Sequence, residues 1–452
     1  MPFPLAFTLF LLSMALCLST GLSMSLALAL GLCFFCLSGR RLGFSFRQLA
    51  GMAFSGLKQS LGVIRMLLLI GLLSALWRAS GTVAFFLYHG IRLITPSLFI
   101  LLCYLLCVFL SYALGTSFGV TGTAGIILMA LARSGGVDPV ITAGAILSGV
   151  YFGDRCSPVS SSANLVAAIT DTDLYGNVHL MFQTALLPTA LTAILYLPLS
   201  LAHPISVVDG AMLRSLSGGF SLSFWALMPA LLVLILPLFR VRILYALLLG
   251  IGSAFAVAFF VQETPLLSLL ATCVAGYQGE GALALLSGGG LFSMADICVI
   301  VLLSSTYSGV FAGTGMLSGV QKRLDAFIRR IGRFPAMAGL GVLMTAVFCN
   351  QTIAVMMSNQ LLSRPYEEAG ANKRELALDL ENSCIVLAGI VPWAISCSVP
   401  LSMMGVGVEA VPYAFFLFLL PLCYGLTKSH WFPGKGKRAD TGQAAENKAD
   451  VF

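Results

Sequence analysis

Gly153-Asp154-Arg155-Cys156-Ser157-Pro158-Val159-Ser160-Ser161-Ser162-Ala163-Asn164 is a polar stretch set between two apolar runs, 139–152 and 165–169. An aspartate at the centre of a membrane helix costs about 2.5–3.5 kcal/mol on insertion scales. Unwound backbone at membrane depth is tolerated only where it lines a cavity or is buried in protein. Pro158 removes a backbone donor and breaks a helix. The stretch therefore predicts a helix interrupted around a polar site, with Asp154 as its sharpest residue. The plainer alternative pairs Asp154 with Arg155 as a structural ion pair, or sets both at a loop end.

The rest of the chain makes membrane depth the relevant frame. Of 452 residues 58% are hydrophobic and 10% are charged, against about a quarter charged in soluble proteins. Apolar runs follow one another with short polar breaks. At about 20 residues per crossing they suggest roughly 11 to 13 spans. The opening runs, 5–19 and 22–38, lack a basic start and read as a retained helical hairpin rather than a signal peptide. Arg40, Arg41, Arg47 and Lys58 form one basic cluster, and Lys322, Arg323, Arg329, Arg330 and Arg333 another. Lys428, Lys435, Lys437 and Arg438 open a polar tail, read as disordered. Each cluster flanks an apolar segment, which argues for cytoplasmic anchoring and against nucleic acid as partner. Both termini are accordingly expected in the cytoplasm, with an even number of crossings of the cell membrane.

The polar breaks come in pairs. Residues 115–123 and 153–164 interrupt apolar segments in the first half, and 349–352 and 381–393 do so in the second. Matching breaks in two halves point to an inverted-repeat carrier with a site near mid-membrane. The fold class is thus all-α: a polytopic membrane protein with two inverted repeats containing interrupted or re-entrant helices. The divisions expected are a first membrane half (1–202), a connecting loop (203–221), a second half (222–427) and a cytoplasmic tail (428–452). Residues 40–58 are expected to form a separate interfacial amphipathic helix.

Freed carbonyls, helix ends and hydroxyls at such breaks are suitable ion ligands. The candidate site comprises Asp154, Ser157, Ser160, Ser161, Ser162 and Asn164, with Thr116 and Ser117 from the earlier break. Asn350, Gln351, Thr352, Glu381 and Ser383 come from the second half, Glu381 and Ser383 where a polar stretch enters an apolar one. The twelve cysteines lie in apolar stretches, and the Cys33–Cys36 pair has no setting that would activate a thiolate. The four histidines lack metal-ligand spacing. There is no phosphate-binding loop and no His-Glu-x-x-His, so ATP-driven pumping and metalloprotease chemistry are not indicated. No repeated filter sequence argues for a channel. No cofactor is expected, and no metal beyond a sodium ion at Asp154.

Three stretches together resemble the NhaC family of sodium/proton antiporters. Gly153-Asp154-Arg155-Cys156-Ser157-Pro158 through Asn164-Leu165 is similar to its G-D-[KR]-x-S-P-x-S-D-T-T-N signature. Gly115-Thr116-Ser117-Phe118-Gly119 is similar to an upstream G-T-[SA]-x-G element. Glu381-Asn382-Ser383 through Val391-Pro392-Trp393 is similar to an E-D-S…V-P-W block. The resemblance covers about 100–400. It implies secondary active exchange, cytoplasmic sodium outward against protons inward, with some members exchanging organic acids such as malate and lactate. It also implies kinship with a superfamily of two inverted repeats with re-entrant hairpins, usually dimeric. The chain departs from the pattern at Ser161, Asn382 and Asn350, where the family carries carboxylates, and at 384–389, where a polar run has become largely apolar. Two readings remain open: a cation/proton antiporter in which Asp154 binds either ion, and a coupled exchanger of small organic acids or amino acids.

Overall fold

The computed structural model describes residues 2–432 apart from 21, 94–95, 206–209, 240 and 317–330. Of the basic second cluster, all but Arg333 lies outside the described residues, as does the tail from 433 onward. The described residues are helical, with one isolated β-bridge between Tyr277 and Gly288. Large apolar side chains point outward along the helices, among them Leu16, Phe109, Phe260 and Leu267. A soluble surface of this kind would aggregate; a bilayer accommodates it.

Helices α1 (Phe3–Thr20) and α2 (Met24–Arg41) pack on each other as the expected hairpin. Helix α3 (Phe46–Ala79) corrects the reading of 40–58, because it runs through that segment without a stop. A capping box starts it: Ser45 Oγ accepts from the Gln48 amide at 3.2 Å, and the Ser45 amide donates to Gln48 Oε1 at 2.8 Å. No proline follows to end it. Gly56 lets it press on α14 (Ala295–Thr314), where a Cβ would lie 2.1 Å from the Ser305 carbonyl. The amphipathic face seen in the sequence is a packing face.

After α4 (Thr82–Leu93), the first half continues with α5 (Phe99–Leu114), α6 (Ser117–Ser134), α7 (Pro139–Cys156), α8 (Ser161–Thr170) and α9 (Leu174–Ala202). The expected loop 203–221 contains a further helix, α10 (Gly210–Gly219). Then come α11 (Met228–Ile235), α12 (Ile243–Phe260), α13 (Leu266–Ala275) and α14. The second half closes with α15 (Arg333–Phe348), α16 (Gln351–Glu368), α17 (Lys373–Ile390), α18 (Ile395–Met404) and α19 (Phe415–Trp431).

Among the described residues six helices are long and apolar enough to cross a membrane, or up to seven if α17 and α18, bent by 51°, form one broken span. Four shorter apolar helices of 10–17 residues accompany them. The sequence count of roughly 11 to 13 gave each apolar run a full span. Helix α7 is not among the six; it is buried over most of its 18 residues and carries Asp154 and Arg155 inside the protein.

The two halves repeat one series of breaks. Gly115 ends α5 in the left-handed region (φ 66°), and extended Thr116 caps α6 by accepting from the Gly119 amide. Cys349 ends α15 at φ 54°, and extended Asn350 caps α16 by accepting from the Ile353 amide. Residues 157–160 separate α7 from α8, and residues 391–394 separate α17 from α18, each with a proline second in the break. In each half the two breaks touch. A Cβ on Gly115 would lie 2.7 Å from the Ser160 amide nitrogen, and the Ile395 amide donates to the Cys349 carbonyl at 2.9 Å.

Apolar packing holds the breaks from both sides. One buried cluster is built chiefly on α3 to α9 and reaches α18 and α19; another joins α1 and α2 to α14, α15, α16 and α17. Helices α5 and α7 approach closely through Gly149 and Gly153, the spacing of a small-residue interface. A Cβ on Gly153 would lie 1.9 Å from the Ser111 carbonyl carbon. Ser111 Oγ donates to the Gly149 carbonyl at 2.8 Å and accepts from the Gly153 amide at 3.0 Å. That contact fixes the end of α7, and with it Asp154.

Candidate functional site

Asp154 lies in the last turn of α7 and is 7% exposed. Its Oδ2 accepts from Gln351 Nε2 at 3.1 Å and from Ser162 Oγ at 3.4 Å, and Gln351 Nε2 lies 3.3 Å from Ser162 Oγ. Ser117 also hydrogen-bonds the carboxyl. This small network joins three breaks and both halves of the chain.

A cavity of about 120 Å³ opens beside it, lined by Asp154, Thr116, Ser117, Ser161, Ser162, Asn350, Gln351, Thr352 and Ser396, with Val63, Phe118 and Ile395 as apolar wall. At about 30 Å³ per water it holds roughly four. Asp154 is the one charged residue in that wall among the described residues; the other polar groups are hydroxyls and carboxamides. Four helices begin here, with Ser117, Ser161, Gln351 and Ile395 as first residues. Thr116, Ser160 and Asn350 side chains cap the first three, whereas Ala394 gives α18 no side-chain cap. Helix starts carry partial positive charge, and the hydroxyl and carboxamide oxygens around the cavity are suitable ligands for a hard cation.

The sequence candidates divide in two. Asp154, Thr116, Ser117, Ser161, Ser162, Asn350, Gln351 and Thr352 meet at the cavity. Ser157, Ser160 and Asn164 instead shape the break. Ser157 Oγ accepts from the Val159 amide at 3.3 Å. Ser160 Oγ donates to the Asp154 carbonyl. Asn164 Nδ2 donates to the Pro158 and Ser160 carbonyls at 3.2 and 2.7 Å. Glu381 and Ser383 lie outside the cavity wall, in a wide π-helical turn of α17 packed near α7 and α8. Both Glu381 carboxylate oxygens are buried without a hydrogen-bond partner among the described residues, and Ser383 Oγ donates to the Asp379 carbonyl at 2.5 Å.

Arg155 does not pair with Asp154. Successive residues on a helix point about 100° apart, and Arg155 turns to α9, where Nη2 donates to the Met181 carbonyl at 2.7 Å and Thr184 Oγ1 at 2.8 Å. Ser396 is a wall residue that sequence reasoning passed over; the Ser-Cys-Ser-Val-Pro run at 396–400 was its only signal. Its carbonyl accepts from Tyr151 at 2.8 Å, tying α18 to α7.

A second buried network was also missed. Lys428, expected at the start of the tail, belongs to α19 and pairs with Asp379 and with Glu375, the latter at 3.0 Å. Tyr366 and Tyr424 hydroxyls donate to Asp379 at 2.5 and 2.8 Å, and Arg333 reaches Glu375 at 2.9 Å. It lies on α15, α16, α17 and α19 and contributes nothing to the cavity wall.

Paired broken helices around one carboxylate, in a chain whose outside suits lipid, define a secondary active membrane carrier. A sequence model of the Na+/H+ antiporter family matches residues 149–425. The chain is 30% identical over 394 residues to the Na(+)/H(+) antiporter NhaC of Alkalihalophilus pseudofirmus, covering 85% of each protein. It is 27% identical to the malate-2H(+)/Na(+)-lactate antiporter of Bacillus subtilis, covering 88% of this chain and 87% of that one. It is also 27% identical to the arginine/ornithine antiporter ArcD of Halobacterium salinarum, covering 84% and 81%. The chain belongs to the Na+/H+ antiporter family.

Proposed function

We propose that the protein exchanges sodium for protons at Asp154, with the surrounding hydroxyls and carboxamides as neutral ligands. One observation carries this: among the described residues a single ionisable group lines the cavity, and the other polar groups there are neutral. A carboxylate that binds either a proton or a cation, never both, produces exchange once the two occupied forms can cross and the empty, ionised form cannot. Cation binding needs the ionised form and several oxygens. Ser161 and Asn350, standing where the resemblance implies carboxylates, line the cavity with neutral polar side chains. The volume suits an ion with part of its water shell. Rocking of one repeat against the other would expose the site alternately. The basic cluster at Arg40, Arg41 and Arg47 supports a cytoplasmic-membrane protein with its amino terminus inside.

A second reading is favoured by the four helix starts, which also suit a carboxylate ligand. In that case an organic acid or amino acid would be exchanged, as the names of two relatives indicate for those proteins. Proteoliposomes with an internal pH dye distinguish the two. An inward sodium gradient, with no organic solute present, is expected to alkalinise the lumen as protons leave. Proton movement that begins only when lactate, malate or arginine is added would replace the first reading with the second.

A further inference from the structure

Two arginines share a small polar pocket at the far end of the helices that build the cavity. Arg78 ends α3 and Arg133 lies in the last turn of α6. With Ser287, Ile126, Met129, Met403 and Met404 they surround a space of about 30 Å³, the share of one water molecule in the liquid. Neither arginine has an ion-pair partner among the described residues, and the charged group acting on Arg78 is Arg133 itself.

Both guanidinium groups are anchored at one nitrogen. Arg78 Nη1 donates to the Ser74 carbonyl at 2.8 Å and to the Ser74 hydroxyl. Arg133 Nη2 donates to the Met404 and Gly405 carbonyls at 2.6 and 2.9 Å. The remaining nitrogens have no protein acceptor described, which leaves a pair of planar forks suited to a carboxylate.

Position adds a second argument. Helix α3 begins beside the basic cluster and runs 34 residues, about 51 Å at 1.5 Å per residue. That exceeds a hydrocarbon core of about 30 Å, so Arg78 emerges on the face opposite the cluster. Cytoplasmic loops hold the excess of positive charge, and two arginines gathered on the other face with no ion-pair partner among the described residues call for a counter-charge.

We propose that Arg78 and Arg133 form an anion site on the external face that receives the carboxylate of a small organic solute. The space accepts the carboxylate, and the rest of such a solute would extend from it. The site also has a physical link to transport. Arg133 holds the C-terminal carbonyls of α18, whose first residues, Ile395 and Ser396, line the Asp154 cavity about eight residues, or roughly 12 Å, away. A carboxylate drawing on Arg133 competes with those carbonyls and alters the hold on α18.

The test is the melting of purified full-length protein while sodium acetate or sodium lactate replaces sodium chloride at constant sodium. Wild type is expected to show a saturable rise in Tm with both carboxylates beyond that with chloride. Arg78→Gln and Arg133→Gln should each raise the half-saturating concentration at least about tenfold, a loss of roughly 1.4 kcal/mol. Arg78→Lys, which keeps the charge without the fork, should lose less, and it carries the test if a glutamine variant does not elute as a single species. Carboxylates that shift Tm no more than chloride, or a shift surviving in both glutamine variants, would overturn the proposal. The inference rests on the orientation given above but not on Asp154. Failure of sodium-driven proton flux with acetate binding intact would sink the exchange reading alone.

Discussion

Asp154→Asn separates what the site does from what it costs the fold. The variant keeps the side chain's size and an oxygen that can accept from Gln351 and Ser162, which approach the native carboxyl at 3.1 and 3.4 Å. It removes the one charge that the described residues place in the wall of a cavity of about 120 Å³. A monovalent cation about 2.4 Å from a carboxylate oxygen gains about 7 kcal/mol at an effective dielectric of 20. Loss of part of its water shell offsets some of this, so the net contribution to cation binding is at least about 3 kcal/mol, or more than 100-fold in affinity. Stability should move the other way. A buried carboxylate held only by neutral partners is expensive in a membrane, so the asparagine variant should melt at or above the wild-type temperature. The assay pairs a sodium pulse on dye-loaded proteoliposomes with a melting curve on the same preparation. Sodium-driven proton flux above about a tenth of wild type would refute the assignment. A large drop in Tm would mean that Asp154 is chiefly structural.

Three further outcomes follow from the packing. Gly153→Ala should cut the yield of folded protein severely, because the added carbon would sit 1.9 Å from the Ser111 carbonyl carbon and α5 would have to move; detergent-extracted protein eluting like wild type would contradict this. Lys428→Met should cost about 3–5 kcal/mol by leaving buried Asp379 without its cation, and adding Asp379→Asn should restore much of the lost Tm. At the surface, the Lys373 ammonium 2.6 Å from Asp171 holds that carboxyl below the usual carboxylate range. Its contribution is therefore present above the unfolded acid's pKa and lost as pH falls through the lower folded value. Because the pair is solvent-exposed, Asp171→Asn, which also tolerates the left-handed φ of 52°, should leave Tm at neutral pH nearly unchanged.

Much of the site could be read along the chain because its parts are local. A glycine or proline beside hydroxyls inside an apolar run marks broken helix wherever the run ends up, and the breaks at 115–116, 157–160, 349–350 and 391–394 fall within or beside the expected segments. Which polar residue faces the cavity was less accessible. Ser160 and Asn164 share a break with Ser161 and Ser162 but turn to backbone carbonyls. A shift of one residue changes a helical direction by about 100°, and composition carries no such phase. Glu381 shows the limit: its polarity beside an apolar run placed it in the site, whereas its turn packs outside the cavity wall.

By itself, then, the sequence determined that the chain lives in a bilayer, that polar breaks recur in both halves, and that Asp154 is the group to explain. Hydropathy and helix-breaking act over a few residues, so a linear reading captures them. The tertiary structure alone decided that Asp154 meets Gln351, 197 positions away, rather than neighbouring Arg155. It alone drew Lys428 onto Asp379 and joined 46–79 into one helix. Those outcomes depend on helix phase and on the close approach that Gly56, Gly149 and Gly153 permit, which exist only once helices far apart in sequence are packed together.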